Sequence, residues 1–449
     1  MTAPREHAVI VGAGLAGSLT AVFLARRGFR VSVYERRPDP RAAGTAATGR
    51  SINLGLSARG MAALDEAGLL GAVLDRSVPM RGRVVHRPDG TTRFQPYGVR
   101  EHEILHSVLR DDLLRLLVDT AAAHPDVRFH FGRSLTGLDR DKGTVEVADP
   151  AETVEADLIV GADGVFSAAR RHLQHGLRAD YAQEFLPWGY TELTIPAGPG
   201  GVPRVRLEAL HVWPGEDALM VAHPNRDGSL TCSLFMAHEG PVSFAALRDR
   251  AAIHAFTDAA FPDARELMPD LAEELLAHPV GRLVTVRTAP WRHEDRVVLV
   301  GDAAHAVYPF FGQGMNAAFE DCLVLDACLG RHADRGTALA AYEAARRPHT
   351  DVLADLSAAN FTELRARVHR PGYVLAAAAD RALSRLLPHR WVPLYTLVAH
   401  TTTPYADALA RVRHQRRTLA GAAALVTGVA LATGAALLAA RRPGRDRAC

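Results

Sequence analysis

Residues Ala8–Glu35 read AVIVGAGLAGSLTAVFLARRGFRVSVYE, and this stretch decides the fold. Ala8–Val11 is a short apolar strand. It runs into Gly12-Ala13-Gly14-Leu15-Ala16-Gly17, a GxGxxG, and then into a helix with Leu15, Leu19, Val22 and Phe23 on one face. Gly28 stops that helix, and Arg30–Tyr34 makes a second strand ending at Glu35. The spacing gives the glycines three tasks: a tight turn, close approach of a pyrophosphate, and close packing of helix on strand. Glu35 stands where an acid binds a ribose hydroxyl pair, with Arg36 beside it as a further cofactor contact. An acid at this position favours an unphosphorylated adenosine ribose, hence FAD or NAD over NADP. A strand–helix turn that binds nothing could carry the same glycines. The strand, helix, second strand and terminal acid together point to a dinucleotide.

A second stretch, Val297–Asp321 (VVLVGDAAHAVYPFFGQGMNAAFED), extends the pattern. Val297–Val300 is too apolar for a half-wet strand and suits a central parallel one. Asp302, just beyond it, can accept a ribose hydroxyl. Gly312 and Gly314 let backbone approach a flat ligand closely. The helix opening near Gly314, through Met315 and Asn316, presents free N–H groups and a positive dipole end. That end suits an electron-rich ring that becomes anionic on reduction, as a flavin does. A third turn, in Asp157–Arg170 (DLIVGADGVFSAAR), places Asp163-Gly164 after another buried strand. Together the three turns predict one discontinuous nucleotide domain of α/β class.

The 449 residues predict at least two packed units. A formal net charge of +2 argues neither for nor against nucleic acid, but no basic block is interleaved with aromatics, so no nucleic-acid partner is expected. Cys232, Cys322, Cys328 and Cys449 form no CxxC, so neither a metal site nor a disulfide framework is indicated, and a reducing compartment is expected. No signal-peptide pattern precedes the first strand.

Elsewhere the patterns alternate. Arg50–Leu56 follows a Gly/Ala/Thr loop and precedes a helical run, Ala58–Leu74. Val78–Tyr97 predicts antiparallel sheet around Pro88-Asp89-Gly90. Arg81 and Arg83 share parity and are expected on one face. They are either a solvated pair or, inward beside Tyr97, a bidentate clamp on a carboxylate. Ile104–Leu117 reads as helix after an extended start. Arg110 there suits a phosphate or flavin contact, or a surface pair with its neighbours Asp111 and Asp112. From Tyr181 to about Gly281 recurrent turns and strands predict a sheet-rich insertion with a helical end near Phe244–Leu276. Leu210, Val212 and Met220 read as sheet core. The chain is expected back in the first unit at Val284–Thr288. Gly330–Leu387 is Ala-rich and helical. Thr418–Ala440 carries no charge between Arg416-Arg417 and Arg441-Arg442. It reaches the length of a span, about 20 residues, or makes a docked C-terminal helix. The expected organisation is a Rossmann-like FAD-binding domain over 1–77, 98–180 and 282–330, and an inserted substrate domain over 78–97 and 181–281. A C-terminal helical region over 331–415 and a candidate membrane tail over 416–449 complete it.

The turns resemble those of the single-component FAD-dependent aromatic hydroxylases. Further segments are similar to the kynurenine 3-monooxygenase family: Pro79–His86 (PMRGRVVH), Pro96–Gly98 (PYG), Leu186–Pro196 (LPWGYTELTIP), Leu210–Pro214 (LHVWP), Gly301–Cys322 and Val392–Thr396 (VPLYT). The likeness runs from Ala8 to about Thr396. It implies FAD as cofactor, NADPH as co-substrate, and hydroxylation of L-kynurenine with O2 through a flavin C4a-hydroperoxide. By the same resemblance Arg83 and Tyr97 match the pair that holds the substrate carboxylate, and Asn360 and Tyr395 match further substrate contacts. Arg110, Leu135, Asp302, Met315 and Asn316 match flavin contacts, and the Asp163-Gly164 turn one that touches flavin and pyridine nucleotide. Phe310 and Phe311 are expected to wall the ring pocket. The chemistry is the flavin's, so no catalytic side chain is expected, and His305 is given a structural or flavin-loop role rather than that of a base. Eukaryotic members carry a C-terminal anchor, which implies membrane contact through 418–440 and a place on the cytoplasmic side. The residues by themselves leave two other readings open, a hydroxylase of another anionic aromatic and a non-catalytic flavin-binding sensor.

Overall fold

The computed structural model describes residues 5–42, 52–98, 100–366, 371–388 and 390–440. Arg50, most of the loop before it, Arg441-Arg442 and Cys449 lie outside the described residues. So do the side chains of nearly all of 422–440.

A six-stranded sheet has the order Arg292–His293, Val297–Leu299, Leu158–Gly161, His7–Val11, Arg30–Glu35, Val127–Phe131. Every pairing is parallel except that of the edge strand Arg292–His293. His7–Val11, Leu158–Gly161 and Val297–Leu299 are buried at every position. That is why they read as unbroken apolar runs rather than alternating ones. Parallel order brings the GxGxxG turn, the Asp163-Gly164 turn and the Gly301-Asp302 turn to one edge, beyond the carboxyl ends of the strands, where ligands of such sheets bind.

The second large sheet has seven strands, in the order Gly281–Ala289, Asp180–Ile195, Leu230–Ala237, Ala218–Pro224, Leu210–Trp213, Gly82–His86, Thr92–Pro96. Its Met220, Cys232, Leu234 and Met236 pack on Ile253, Phe261 and Leu271 of the helical segment that follows it. The alternate residues Leu219, Val221, Ser233 and Phe235 face a cavity. Met220 is core as expected, and Leu210 and Val212 belong to another buried apolar cluster that also lines the cavity.

Two boundaries differ from expectation. Gly281–Ala289 pairs with Asp180–Ile195, so the run expected to rejoin the first unit is the edge of the second sheet. The chain rejoins the parallel sheet at Arg292. Val78–Met80 pairs with Leu105–Leu109, which also pairs with Asn53–Leu56, so it belongs to a separate three-stranded sheet. The chain changes sheets at Arg81, and parity is lost there. Arg81 is solvent-facing and paired with Glu208, while Arg83 turns inward.

The helix Arg335–Ala366 packs on the helix Gly314–Arg331, Tyr405–Ala440 packs on Arg335–Ala366 and Leu394–Ala399 packs on Tyr405–Ala440, with Ala317, Leu353, Leu397, Val398 and Tyr405 in one buried cluster. Among the described residues no helix is long and apolar enough to cross a membrane.

Candidate functional site

A cavity of about 1850 Å³ is bounded by the carboxyl edge of the parallel sheet and by one face of the seven-stranded sheet. Gly12, Gly14, Glu35, Arg36, Arg110, Leu135, Asp163, Asp302, Gly314 and Met315 line one part of it. Arg83, Tyr97, Phe310, Asn360 and Tyr395 line another.

The glycines divide by task. A Cβ on Gly12, at φ +103°, would meet the Ala162 carbonyl oxygen at 2.5 Å, and one on Gly17 would meet the Gly12 oxygen at 1.9 Å. These two permit backbone packing, and Gly17 does not line the cavity. Gly14 faces open space and heads the helix Leu15–Arg26, which has no side-chain cap and no acid in its first turn. That is an anion site of pyrophosphate type.

Glu35 is buried and accepts from the amide of Ala13 at 2.9 Å and from Arg37 Nε at 2.9 Å. Burial works against its charge. The hydrogen bonds and charge of Arg37 outweigh that, and the carboxyl stays below its usual range. Arg37 is a site residue that the sequence reading missed. Two arginines follow the acid, and only the folded turn shows which of them pairs with it. Asp163 spends its carboxylate on Ser167 and on the amides of Ala168 and Ala169, so it shapes its turn rather than offering a free oxygen. Asp302 lies deep within the molecule yet faces the cavity. Its enclosure raises the carboxyl above its usual value, opposed by His305 and Arg110.

The helix Gly314–Arg331 opens on the cavity with no side-chain cap and no acid in its first turn. Asn316 is fully buried. Its side chain ties Gly55, Ser57 and Gly312 together, and the residue is absent from the cavity wall, so the flavin contact expected of it is not made at this surface. Asp321, on the same helix, accepts from the Gly301 amide at 2.9 Å, from His305 at 2.5 Å and from Arg346 at 2.7 Å. Arg346 reaches Glu320 at 2.6 Å, and Glu320 pairs with the buried Arg59 at 2.9 Å. His305 therefore fixes the Gly301-Asp302 turn from behind, in keeping with the structural role expected for it.

At the other end, the Arg83 guanidinium lies 5.9 Å from the Tyr97 ring centre and 5.5 Å from that of Tyr395. The two rings stack at 5.5 Å. The Tyr97 hydroxyl is buried and has no hydrogen-bond partner among the described residues. The Tyr395 hydroxyl is close enough to interact with it, but makes no hydrogen bond of good geometry to it. Burial raises both phenols above their usual values, so both are donors. Asn360 Nδ2 donates to the Phe310 carbonyl at 2.7 Å, and the Phe310 ring stacks on Phe361 at 4.5 Å.

The residues present fit a flavin dinucleotide. Two uncapped helix starts, an open Gly14 and an acid at the end of the second strand are the features its pyrophosphate, ring and ribose require.

Residues 5–357 match the family model described as an FAD binding domain. A kynurenine 3-monooxygenase of Salinispora arenicola is 70% identical over 452 residues, covering 100% of this chain and 99% of its own. That of Myxococcus xanthus is 42% identical over 90% of this chain and 88% of its own. Among solved structures, P. aeruginosa PqsL in complex with 2-aminobenzoylacetate superposes with a TM-score of 0.67 at 22% identity, over 83% of this chain and 100% of that one, a likeness of fold.

Proposed function

The chain belongs to the FAD-binding-domain family and, within it, to the kynurenine 3-monooxygenases, and from that premise we propose that it hydroxylates L-kynurenine to 3-hydroxykynurenine with FAD, NADPH and O2. The observation that carries the reading to the site is the Tyr97 hydroxyl. It is a buried donor left unsatisfied beside a guanidinium, and a buried polar group of that kind requires a partner. An amino-acid carboxylate supplies one: Arg83 takes it through two N–H donors and Tyr97 through a third. Tyr395 covers the same end. Phe310, held by Asn360 at its carbonyl and by Phe361 at its face, orients the aromatic ring.

When bound, FAD accepts a hydride from NADPH and activates O2 for transfer of one oxygen atom to the carbon ortho to the substrate's aromatic amine. Gly12, Gly14 and Glu35 hold the adenosine diphosphate part, with Arg36 at its edge. The helix start at Gly314 and Met315 would favour negative charge on the reduced ring. Arg110, Leu135 and Asp302 line the cavity where they would flank the cofactor, and the Asp163-Gly164 turn would meet flavin and nicotinamide. The protein's work is orientation and exclusion of water.

The test is NADPH consumption with and without kynurenine, with the product identified by mass spectrometry. Oxidation that kynurenine does not stimulate would favour the flavin-binding sensor. Tyr97→Phe removes one donor from the carboxylate, worth about 1 kcal/mol, and is expected to raise the kynurenine KM about fivefold with flavin content unchanged. Membrane contact through 418–440 stays part of the proposal, supported by the charge-free run. Deleting 418–449 is expected to move the protein from the membrane to the soluble fraction. Recovery of the full chain in the soluble fraction without detergent would refute it.

A further inference from the structure

On the face of the seven-stranded sheet turned away from the cavity, three buried side chains, His86, His211 and Trp213, and the partly buried Asp263 form one connected chain. His86 Nδ1 lies 2.5 Å from Asp263 Oδ2, and His86 Nε2 lies 2.8 Å from His211 Nδ1. His211 Nε2 lies 2.7 Å from the Arg206 carbonyl oxygen, and Trp213 Nε1 donates to Asp263 Oδ1 at 2.7 Å. The His86 ring also stacks on Trp213 at 3.9 Å. His86 and His211 are 4% and 1% exposed, too little for water to stand in for a missing partner.

The protons in this chain can be counted. A carbonyl oxygen only accepts, so His211 Nε2 donates to Arg206. A neutral His211 then has a bare Nδ1, and His86 Nε2 must donate to it. An ionised Asp263 only accepts, so His86 Nδ1 donates as well. Both ring nitrogens of His86 therefore carry hydrogen. Two other placements satisfy the same bonds, with the extra proton on His211 or on Asp263. Burial pushes His211 down to about 4, which disfavours the first. Burial raises the Asp263 carboxyl, but the hydrogen bonds from His86 and Trp213 hold it below its usual range, which disfavours the second.

The strand that carries His86 also carries Arg83, and its hold on the sheet is slight. Arg83, Val84 and Val85 pair with Leu210, His211 and Val212, a ladder of three residues. On the outer side lies Thr92–Pro96, exposed at every position but one. A slip of one residue would carry Arg83 from the cavity to the far face.

We propose that His86, held as an imidazolium between Asp263 and His211, is a positioning residue that pins the register of the strand Gly82–His86 and so aims Arg83 at the substrate carboxylate. The proposal rests on the reading of Arg83 given above. The ion pair with Asp263 leaves the cluster neutral, so it adds no field that competes with Arg83.

Two measurements test it. In enzyme labelled with 15N-histidine, long-range 1H–15N correlation is expected to show both ring nitrogens of His86 protonated at neutral pH, and this signature is expected to vanish in Asp263→Asn. A bare ring nitrogen on wild-type His86 overturns the imidazolium. In kinetics, His86→Leu and Asp263→Asn are expected to raise the kynurenine KM about fivefold or more, the scale of one lost hydrogen bond. The kcat and flavin affinity should stay within about twofold. An unchanged KM in either variant, purified yellow and folded, overturns the positioning role. Should His86→Leu not fold, Asp263→Asn, which keeps the side-chain volume, decides. If the wild-type enzyme did not turn over kynurenine, the functional reading would fail while the NMR result still decided where the proton sits.

Discussion

Replacing Arg83 by alanine is expected to raise the kynurenine KM by about tenfold or more, because a charge-assisted contact is worth about 1.5–3 kcal/mol. The guanidinium lies over the rings of Tyr97 and Tyr395 and beside a hydroxyl with no partner, so its removal leaves the substrate carboxylate facing phenols alone. Arg83→Lys should recover little, since an ammonium has no planar fork and stacks poorly on an aromatic face. Flavin content should be unchanged, because the flavin-lining residues come from other segments. Steady-state kinetics at saturating NADPH checks this. An unchanged KM would favour a different anionic aromatic as the substrate.

The largest effect on stability is expected from Arg346→Met. Arg346 is 2% exposed and holds Asp321 at 2.7 Å and Glu320 at 2.6 Å. Its removal takes one cation from the buried Asp321 and one of two from the partly buried Glu320, and breaking one side of such a network costs about 3–5 kcal/mol. The loss should reach the site, since Asp321 also holds the Gly301 amide and His305. Burial opposes the Asp321 charge, but His305 and Arg346 outweigh it and hold the carboxyl below its usual value. A depressed carboxyl contributes stability that is complete above its unfolded value of about 3.9 and is lost as pH falls through the lower folded value. Wild type and variant should therefore differ most near neutrality and converge in acid. Denaturant unfolding at several pH values measures this, and a constant difference down to strong acid would contradict it.

How much of this was legible in the sequence depends on how local each signal is. Ala8–Glu35 could be read because a fully buried parallel strand, a glycine turn and a terminal acid all fall within one short window. The inward turn of Arg83 could not be read from parity. Alternation holds only within a strand, and the chain passes from one sheet to another at Arg81. Val284–Thr288, expected in the first unit, is part of an edge strand of the second sheet, since composition does not say which neighbour a strand will pair with. Leu210 and Val212 are core and cavity wall at once, because a cavity wall for an aromatic ligand has the same composition as a core. Asn316 lies at a flavin-contact position of the resembled family, but its side chain is spent on Gly55, Ser57 and Gly312. The network of Arg59, Glu320, Asp321 and Arg346 joins widely separated segments and left no local signal at all.

Tyr395 sits in the short helix Leu394–Ala399 and closes the carboxylate end from far downstream of Arg83 and Tyr97. A ribosome releases the GxGxxG segment, the Asp302 turn and Arg83 long before it polymerises that helix. A growing polypeptide therefore owns its coenzyme cradle well ahead of its amino-acid handle. A premature stop codon between 331 and 393 would make a product that keeps every nucleotide fingerprint yet lacks one wall of the place where the metabolite must dock. Fragments of this kind in genome catalogues would look like complete oxygenases to any scan for the dinucleotide signature.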